Sequence, residues 1–427
     1  FPIVHSVPEV SFGIRELGCS AGVMITASHN PKEYNGYKVY GPDGGQLPPD
    51  AADVVVTAID SYDIFDDVKF ISLDEAKEKG LLEIVSSDLD EKFLDVVQTQ
   101  QQNPEAVAEV ADTFKLIYTP FHGTGSRPIK AILNRMGFKN VLVVKEQDTE
   151  DGNFPTVKSP NPEDKEGFEI AIKMAKENDV DVIIGTDPDC DRVGIVVRDA
   201  DGIYRTLTGN QTGALLVEYI LSSKKAKGTL PENGVVIKTI VTTELAAAIA
   251  HSYGIEIMNV LTGFKYIGEK MTEFAKTGDH TYLIGFEESY GYLVGTHARD
   301  KDGVVATMLI AEMAVHLNGL TFLDHFIEFF SSDADQGFLH SFSAAVTVKF
   351  RRNFLIDLHV KALQDFLKQT LRSMSLFQKI CDRCDFLHIF LKLRNCAFFC
   401  KRHQLHDKSA SLTYCIVFIH KNSETNC

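Results

Sequence analysis

Val180-Asp-Val-Ile-Ile-Gly-Thr-Asp-Pro-Asp-Cys-Asp-Arg-Val-Gly194 is a β-branched apolar run that breaks, at Gly185-Thr186, into a turn carrying three aspartates. A short Val/Ile-rich run bounded by glycine predicts a buried strand, Val180 to Ile184, with its polar turn at a sheet end. Just upstream, Asn161 is placed to cap a helix that has Pro162 in its first turn, where a missing N–H costs nothing. Phe168, Ala171, Ile172 and Ala175 then fall at i, i+3, i+4 and i+7, one buried face. The same strand-then-turn pattern recurs three times. Val23-Met24-Ile25 leads into Thr26-Ala-Ser-His-Asn-Pro31, Lys115 to Tyr118 into Thr119-Pro-Phe-His-Gly123, and Tyr282-Leu283-Ile284 into Gly285-Phe-Glu287. Glu244 to Ser252 is an alanine-rich helix that stops near Gly254. Alternating strands and helices imply α/β layers, and loops beyond the carboxyl ends of strands are where such sheets bind ligands. Four of them predict repeated units converging on one cleft.

Three carboxylates at i, i+2 and i+4 (Asp187, Asp189, Asp191) on an extended turn project to one side and can share a hard cation through oxygen ligands. An EF-hand starts with this spacing but requires glycine sixth and glutamate twelfth; here those positions are Arg192 and Arg198. Mg²⁺ beside a phosphate answers the repulsion among the three. The alternative is a solvated acidic turn. In the first loop, Ser28 sits in a tight turn where it either caps the turn or acts as a nucleophile that carries a phosphoryl group. His29 and Lys38 are nearby groups able to move a proton or hold phosphate oxygens. Glu287 and Ser289, in a glycine-flanked loop, suit hydroxyl-rich ligands. Thr262-Gly263-Phe264-Lys265 is a turn with a cation that can meet sugar or phosphate. Arg299 and Lys301, in Arg299-Asp-Lys-Asp302, either add phosphate contacts or form a solvated charged face.

The chain has 427 residues, 44% hydrophobic and 24% charged, and contains no apolar run of the roughly 18 residues that a membrane helix needs. Its formal charge of -16 argues against generic nucleic-acid binding, which is carried by Lys and Arg. The composition changes near residue 330. Residues 331–427 hold one glycine, no proline, 6 of the 8 cysteines and a charge of +6, leaving -22 on the rest. A folded segment of that length normally punctuates its turns with Gly and Pro, so this stretch reads as sequence not selected to fold, such as a read-through end. Cys381, Cys384, Cys396, Cys400, His403 and His406 admit a zinc-site reading, with chance in a Cys-rich tail as the competing one. Phe1 is not a start methionine, and no secretory signal pattern follows it. With only Cys19 and Cys190 before residue 331, there is no disulfide framework, and a reducing cytoplasm is expected. Polar stretches suggest domains at 1–103, 104–228 and 229–330, followed by the atypical tail 331–427.

Together the loops resemble those of the α-D-phosphohexomutases, the phosphoglucomutase/phosphomannomutase family. Gly22 to Leu47 looks like that family's active-serine segment, Gly185 to Gly194 like its metal loop, and Gly285 to Gly291 like its sugar-specificity loop. Thr262 to Lys265 looks like a further sugar-side loop. The resemblance runs from about residue 1 to about residue 315, and Tyr37-Lys-Val-Tyr-Gly-x-Asp-Gly-Gly has the flavour of bacterial phosphoglucomutases. It implies three related three-layer α/β domains with mixed sheets and a smaller C-terminal α+β domain around a central cleft. It also implies a phosphoserine at Ser28 and Mg²⁺ held by Asp187, Asp189, Asp191 and the serine phosphate. Lys38 looks like the general acid/base, with Arg192 and His29 supporting it and Glu287 and Ser289 contacting sugar. The implied reaction moves phosphate between the 1- and 6-positions of a hexose phosphate through glucose 1,6-bisphosphate, which also serves as activator.

Two departures bear on activity. Nothing in the chain supplies the arginine-bearing loop that the family carries ahead of its serine segment. Nor do residues 331–427 contain an Arg-x-Ser-Gly-Thr loop of the kind that grips the non-reacting phosphate; Arg351-Arg352 and Arg372-Ser373 do not reproduce it. The expectation is a fragment with little or no mutase turnover. Phosphomannomutase or phosphopentomutase activity, or a non-catalytic sugar-phosphate-binding remnant, are the alternatives. A P-loop or Rossmann enzyme ranks last, because Gly-x-x-x-x-Gly-Lys-Ser/Thr is absent and Gly123-Thr-Gly125 lacks its third glycine. Oligomeric state is not legible. The reading depends on Ser28 meeting the three aspartates.

Overall fold

The computed structural model describes residues 1–316 apart from Ile64 and Ala200. They belong to the first of the two compact units into which the chain divides, Phe1–Ser332. The tail 331–427, with its cysteine and histidine group, lies outside the described residues.

Three sheets carry the fold. β1 (Gly22–Ile25) and β2 (Tyr37–Tyr40) form an antiparallel hairpin with Met24 opposite Lys38. β3 (Lys115–Thr119), β4 (Asn140–Val143), β5 (Val182–Thr186), β6 (Val193–Arg198) and β7 (Tyr204–Thr206) make a sheet of order β4-β3-β5-β6-β7. In it β3 runs parallel to β4 and β5, while β6 and β7 are antiparallel additions. β8 (Gly234–Thr239), β9 (Glu256–Val260), β10 (Thr281–Phe286) and β11 (Tyr292–Val294) make a sheet of order β11-β10-β8-β9, parallel except for β10–β11. The α/β architecture expected from the alternating pattern is present, and the two larger sheets are mixed, as the family resemblance implies. Strand β5 starts two residues later than the apolar run and ends at Thr186, so the three aspartates form the turn of the β5–β6 hairpin.

The helices are α1 (Val7–Glu16), α2 (Pro49–Asp60), α3 (Leu73–Glu78), α4 (Asp88–Gln98), α5 (Pro104–Val110), α6 (Ser126–Met136), α7 (Glu169–Asn178), α8 (Gly209–Ala226), α9 (Leu245–Ser252), α10 (Phe264–Thr277) and α11 (Gly303–His316). Helix α1 starts on a capping box in which Ser6 and Glu9 satisfy each other's free amides. The expected helix at Asn161 begins later. Asn161 Oδ1 accepts the Glu163 amide (3.1 Å) in a local turn, a 3₁₀ turn covers Lys165–Phe168, and α7 starts at Glu169. The asparagine side chain engages a neighbouring amide two residues on, a turn that competes with helix initiation. The predicted face survives: Phe168, Ala171 and Ala175 are buried against Ile117, Ile183 and Val196 of the sheet, and Phe168 meets Phe121 edge-on at 5.0 Å. Each such fully buried large apolar side chain contributes about 1.5–3 kcal/mol.

Helix α11 is apolar around its whole circumference and buried along nearly all its length, the pattern of a core helix. It packs on α5, α6 and β11, so it joins the second and third sheet layers. Its one acid, Glu312, is fully buried, and accepts from the Gln102 amide (2.7 Å) and the Tyr219 hydroxyl (2.9 Å). α8 carries a second shielded acid. Glu218 Oε1 accepts from the Tyr253 hydroxyl at 2.6 Å, while Oε2 has no hydrogen-bond partner. Burial pushes its pKa up to about 7 against the opposing pull of the Tyr253 bond and Lys225. Because the folded value lies above the ordinary 4.5, the group's contribution is fully favourable below pH 4.5 and is lost as pH rises through 7. Glu218→Gln is therefore expected to gain about 2–3 kcal/mol relative to the parent between pH 4.5 and pH 8. Urea unfolding at the two pH values checks this; an unchanged difference refutes it.

A candidate active site where hairpin turns meet

The aspartate turn is held from its backbone side by three separate segments. The Thr124 amide donates to Pro188 O (2.8 Å), the Val7 amide at the start of α1 to Asp189 O (2.9 Å), and the Gly303 amide at the start of α11 to Cys190 O (3.0 Å). Cys190 takes a left-handed φ of 56°, which closes the turn. With three consecutive carbonyls anchored, Asp187, Asp189 and Asp191 gather their carboxylates so that one oxygen of each lies within 4.8 Å of the others. All three are buried. Asp187 Oδ1 accepts the Asp191 and Arg192 amides at 3.0 and 2.9 Å.

The serine arrives from the β1–β2 loop. Ser28 has φ 52°, and its amide donates to Thr26 Oγ1 at 2.9 Å. Thr26 Oγ1 in turn donates to Asp189 Oδ2 at 3.1 Å, so the loop is pinned directly to the aspartate turn. Gly36 allows this shape: a Cβ there would collide with the Thr26 carbonyl, whose own amide donates to Gly36 O at 3.1 Å. Ser28 Oγ donates to Asp187 Oδ2 at 2.9 Å and lies 3.2 Å from His29 Nδ1. The serine and the three aspartates, 159 or more residues apart in sequence, thus meet as the loop reading requires.

Lysines supply the opposing charge. Lys38, on the inner face of β2, places Nζ 3.0 Å from both Asp189 Oδ2 and Asp191 Oδ2. Lys301 Nζ reaches Asp191 Oδ2 at 3.1 Å and Asp300 Oδ1 at 3.2 Å. Burial would lower the pKa of Lys38, but Asp191 and Asp189 outweigh it and hold the group well above its ordinary range, as an ammonium. Burial likewise opposes ionisation of Asp191, yet Lys301, Lys38 and Arg192 keep its carboxyl below the ordinary range. Asp187 goes the other way: burial first, then Asp189 and Asp191, push it well up. His29 is pulled down by burial and by the Arg192 guanidinium, which favours the neutral ring. Arg192 Nη1 pairs with Glu163 Oε1 at 3.3 Å.

The donor set suits a divalent cation. Asp189 Oδ1 and Asp191 Oδ1 are buried without a hydrogen-bond partner, and hard carboxylate oxygens are the ligands such ions prefer. A second group, His5, Glu9 and Asp90, also clusters, but its contacts are explained by the α1 capping box and a His5–Asp90 pair at 3.0 Å.

The residues that the family resemblance implies for sugar contact form an adjoining group. Gly263, with φ 121°, donates its amide to Glu287 Oε1 at 3.0 Å, joining the β9–α10 turn to the β10–β11 turn. Lys301 Nζ stands 5.7 Å from the Phe264 ring centroid and so links this group to the aspartates. Burial raises the Glu287 pKa against the pull of Lys301. Ser289 is partly buried in the same turn, and Thr262 is exposed. Lys265 lies over the Tyr266 ring at 5.4 Å and is not among the groups that touch the aspartates. Arg299 is placed differently from a phosphate ligand. It is 3% exposed, its Nη1 donates to the Thr296 and Ala298 carbonyls, and burial and the nearby Arg15 pull its pKa down to about 10. It braces its own segment.

Asp300 and Glu163 were not singled out by sequence reading. Asp300 accepts from Tyr40 OH (3.0 Å), Gln46 Nε2 (2.7 Å) and Lys301, tying the serine hairpin to the Lys301 segment. The available signal was Tyr40, two positions from Lys38 and so on the same strand face.

The architecture is that of a multi-domain α/β protein whose hairpin turns assemble a serine–tri-aspartate centre. The sequence profiles described as phosphoglucomutase/phosphomannomutase alpha/beta/alpha domains I, II and III match residues 2–64, 91–202 and 208–327. The chain belongs to the phosphoglucomutase/phosphomannomutase family. It is 37% identical over 319 residues to a phosphoglucomutase of Staphylococcus saprophyticus, an alignment covering 74% of this chain and 56% of that one. A phosphoglucomutase of Staphylococcus aureus strain USA300 is 34% identical over 380 residues, covering 85% and 66%. The chain thus spans between about half and two thirds of the length of these relatives. Among solved structures, parafusin (a phosphoglucomutase) of Paramecium has a TM-score of 0.57 at 18% identity, covering 77% of this chain and 66% of its own. A phosphoglucomutase/phosphomannomutase family protein of Burkholderia thailandensis has 0.50 at 19%, covering 70% and 56%. These two likenesses concern the fold.

Proposed function

We propose that the chain is a phosphohexomutase by chemistry, interconverting glucose 1-phosphate and glucose 6-phosphate with Ser28 as the phosphoryl carrier. The observation that supports this most is the direct contact of Ser28 Oγ with Asp187 inside the carboxylate cluster. In the forward half-reaction the P–O bond to Ser28 breaks as a free sugar hydroxyl oxygen bonds to phosphorus, giving glucose 1,6-bisphosphate. The return half-reaction moves the other phosphoryl group to Ser28. Lys38, within reach of the same cluster, is an ammonium, so it would give its proton to Ser28 Oγ as that P–O bond breaks and take up the proton of the attacking hydroxyl. His29 touches the serine oxygen, Arg192 stands near enough to His29 to act on it electrostatically, and the Glu163 pair fixes where the guanidinium points. Glu287 and Ser289 hold sugar hydroxyls, with Thr262, Gly263, Lys265 and Lys301 on the sugar and phosphate side. Mg²⁺ bound by Asp187, Asp189, Asp191 and the serine phosphate would supply charge neutralisation for the transferring group, the main demand of phosphoryl transfer.

Domains at 1–103, 104–228 and 229–330 and a cytoplasmic setting belong to the same proposal. Among the described residues no helix is long and apolar enough to cross a membrane. Turnover is expected to be impaired, because residues 331–427 carry no Arg-x-Ser-Gly-Thr loop to provide charge-assisted bonds to the second phosphate. A coupled assay of glucose 1-phosphate conversion, with Mg²⁺ and glucose 1,6-bisphosphate, should show slow conversion well below that of a full-length relative. Mannose and ribose phosphates run in parallel should be poorer substrates. Absence of any conversion together with absence of seryl phosphate on the chain would remove the mutase reading.

A further inference from the structure

The β10–β11 turn, Glu287 to Gly291, is tied down at three points. Its far end pairs with the aspartate hairpin, where the Val193 amide donates to Tyr290 O at 3.0 Å and Arg192 bridges Gly291. Glu287 is tied to the β9–α10 turn through Gly263. The third tie is Glu288. Its Oε2 lies 3.0 Å from Thr239 Oγ1 and 3.1 Å from Thr242 Oγ1, and the two hydroxyls are 2.6 Å apart. Thr239 and Thr242 are buried in the turn that leaves β8. That turn is stiffened from behind by Lys238, a fully buried lysine whose Nζ donates to the Thr242 carbonyl (3.0 Å) and to Glu244 Oε1 (2.9 Å). The backbone of α8 also closes on the loop: a Cβ at Gly209 would collide with the Glu288 carbonyl. Tyr290 holds a left-handed φ of 68°, so the loop has a shape that its own residues do not favour.

We infer that Glu288 is a positioning residue: its tether to Thr239 and Thr242, backed by Lys238, sets the direction in which its neighbours Glu287 and Ser289 present themselves to a hexose phosphate. The physical reason is that Glu287 to Gly291 is a tight turn, closed by the Glu287 amide donating to Gly291 O at 2.9 Å, and a tie at its middle residue fixes the backbone from which both neighbours project. Charge-assisted bonds from two buried hydroxyls to one carboxylate are strong enough to select one loop conformation among several. The inference about sugar rests on the mutase reading above; the tether itself does not.

The test uses the full chain as Glu288→Ala, Thr239→Val/Thr242→Val and Thr239→Ser/Thr242→Ser. Hydrogen exchange of peptides spanning residues 285–292 should quicken by about tenfold in the first two and stay near wild type in the serine pair, which keeps the hydroxyls. Exchange in the aspartate hairpin should not change. In titrations with glucose 1,6-bisphosphate and Mg²⁺, the half-saturating concentration should rise about tenfold in the same two variants. The extent of Ser28 phosphorylation at saturation should be unchanged. Should the valine pair fail to fold, Glu288→Ala, whose side chain is partly exposed, carries the test. Unaltered loop exchange overturns the tether. Faster loop exchange with unaltered sugar-phosphate affinity overturns the positioning role. A wild-type chain that takes up no sugar phosphate sinks the mutase reading instead, and the exchange result still decides the tether.

Discussion

Ser28→Ala abolishes transfer of phosphate from glucose 1,6-bisphosphate to the chain, an expected loss of at least about 10³-fold against the parent. Intact-mass measurement and a phosphopeptide covering residues 26–38 read it out. The reason is chemical before it is structural. His29 Nδ1 lies within 3.2 Å of the serine oxygen, but an imidazole nitrogen would form a P–N bond from a different position and does not replace the P–O bond that Ser28 forms. The structural cost is small. Alanine accepts the left-handed φ of this position about as well as serine does, and the amide bond to Thr26 is retained. What is lost are the contacts of Ser28 Oγ with Asp187 and His29 Nδ1, about 1 kcal/mol each, so the melting temperature should move by only a few degrees. Undiminished phosphate incorporation in the variant would place the acceptor on another residue and end the Ser28 assignment.

The second large effect concerns the cation. Asp189→Asn should cut Mg²⁺ affinity by about a hundredfold, because one of three buried carboxylates loses its charge while the other two stay. Binding to the folded chain alone stabilises it by RT ln(1 + [L]/Kd), about 2.7 kcal/mol at a hundred times Kd. The wild-type melting temperature should therefore climb with Mg²⁺, whereas the variant's curve should stay flat over the same range. Thr26 and Lys38 can both still donate to the asparagine carbonyl oxygen, so the loop anchor persists and a metal-free melt reports folding separately. Equal Mg²⁺ responses from the two proteins would mean that the orphaned Asp189 Oδ1 is not a ligand.

Much of the site could be read from residue order because its chemistry is local. Asp187, Asp189 and Asp191 lie within five residues of one turn, so a single stretch of chain states both their number and their closeness. Ser28, His29 and Lys38 likewise share one hairpin. The strands showed themselves by Val and Ile content, and the buried face of α7 by its period, although Asn161 turned locally instead of starting the helix.

Other features depend on burial and on partners far away in sequence, which no local pattern encodes. Arg299 and Lys301 stand two residues apart in one charged run, yet Arg299 is folded back onto the Thr296 and Ala298 carbonyls while Lys301 reaches Asp191. Glu287 and Glu288 are adjacent acids, but one is claimed by Gly263 and the other by two threonines 46 and 49 residues upstream. Residue order settled which groups are available for chemistry, since charge, nucleophilicity and turn propensity are properties of the side chain and its neighbours. Only the folded chain assigned each group its partner, since hydrogen bonds and ion pairs act over about 3 Å and only the packing of helices and sheets together brings such distant turns that close.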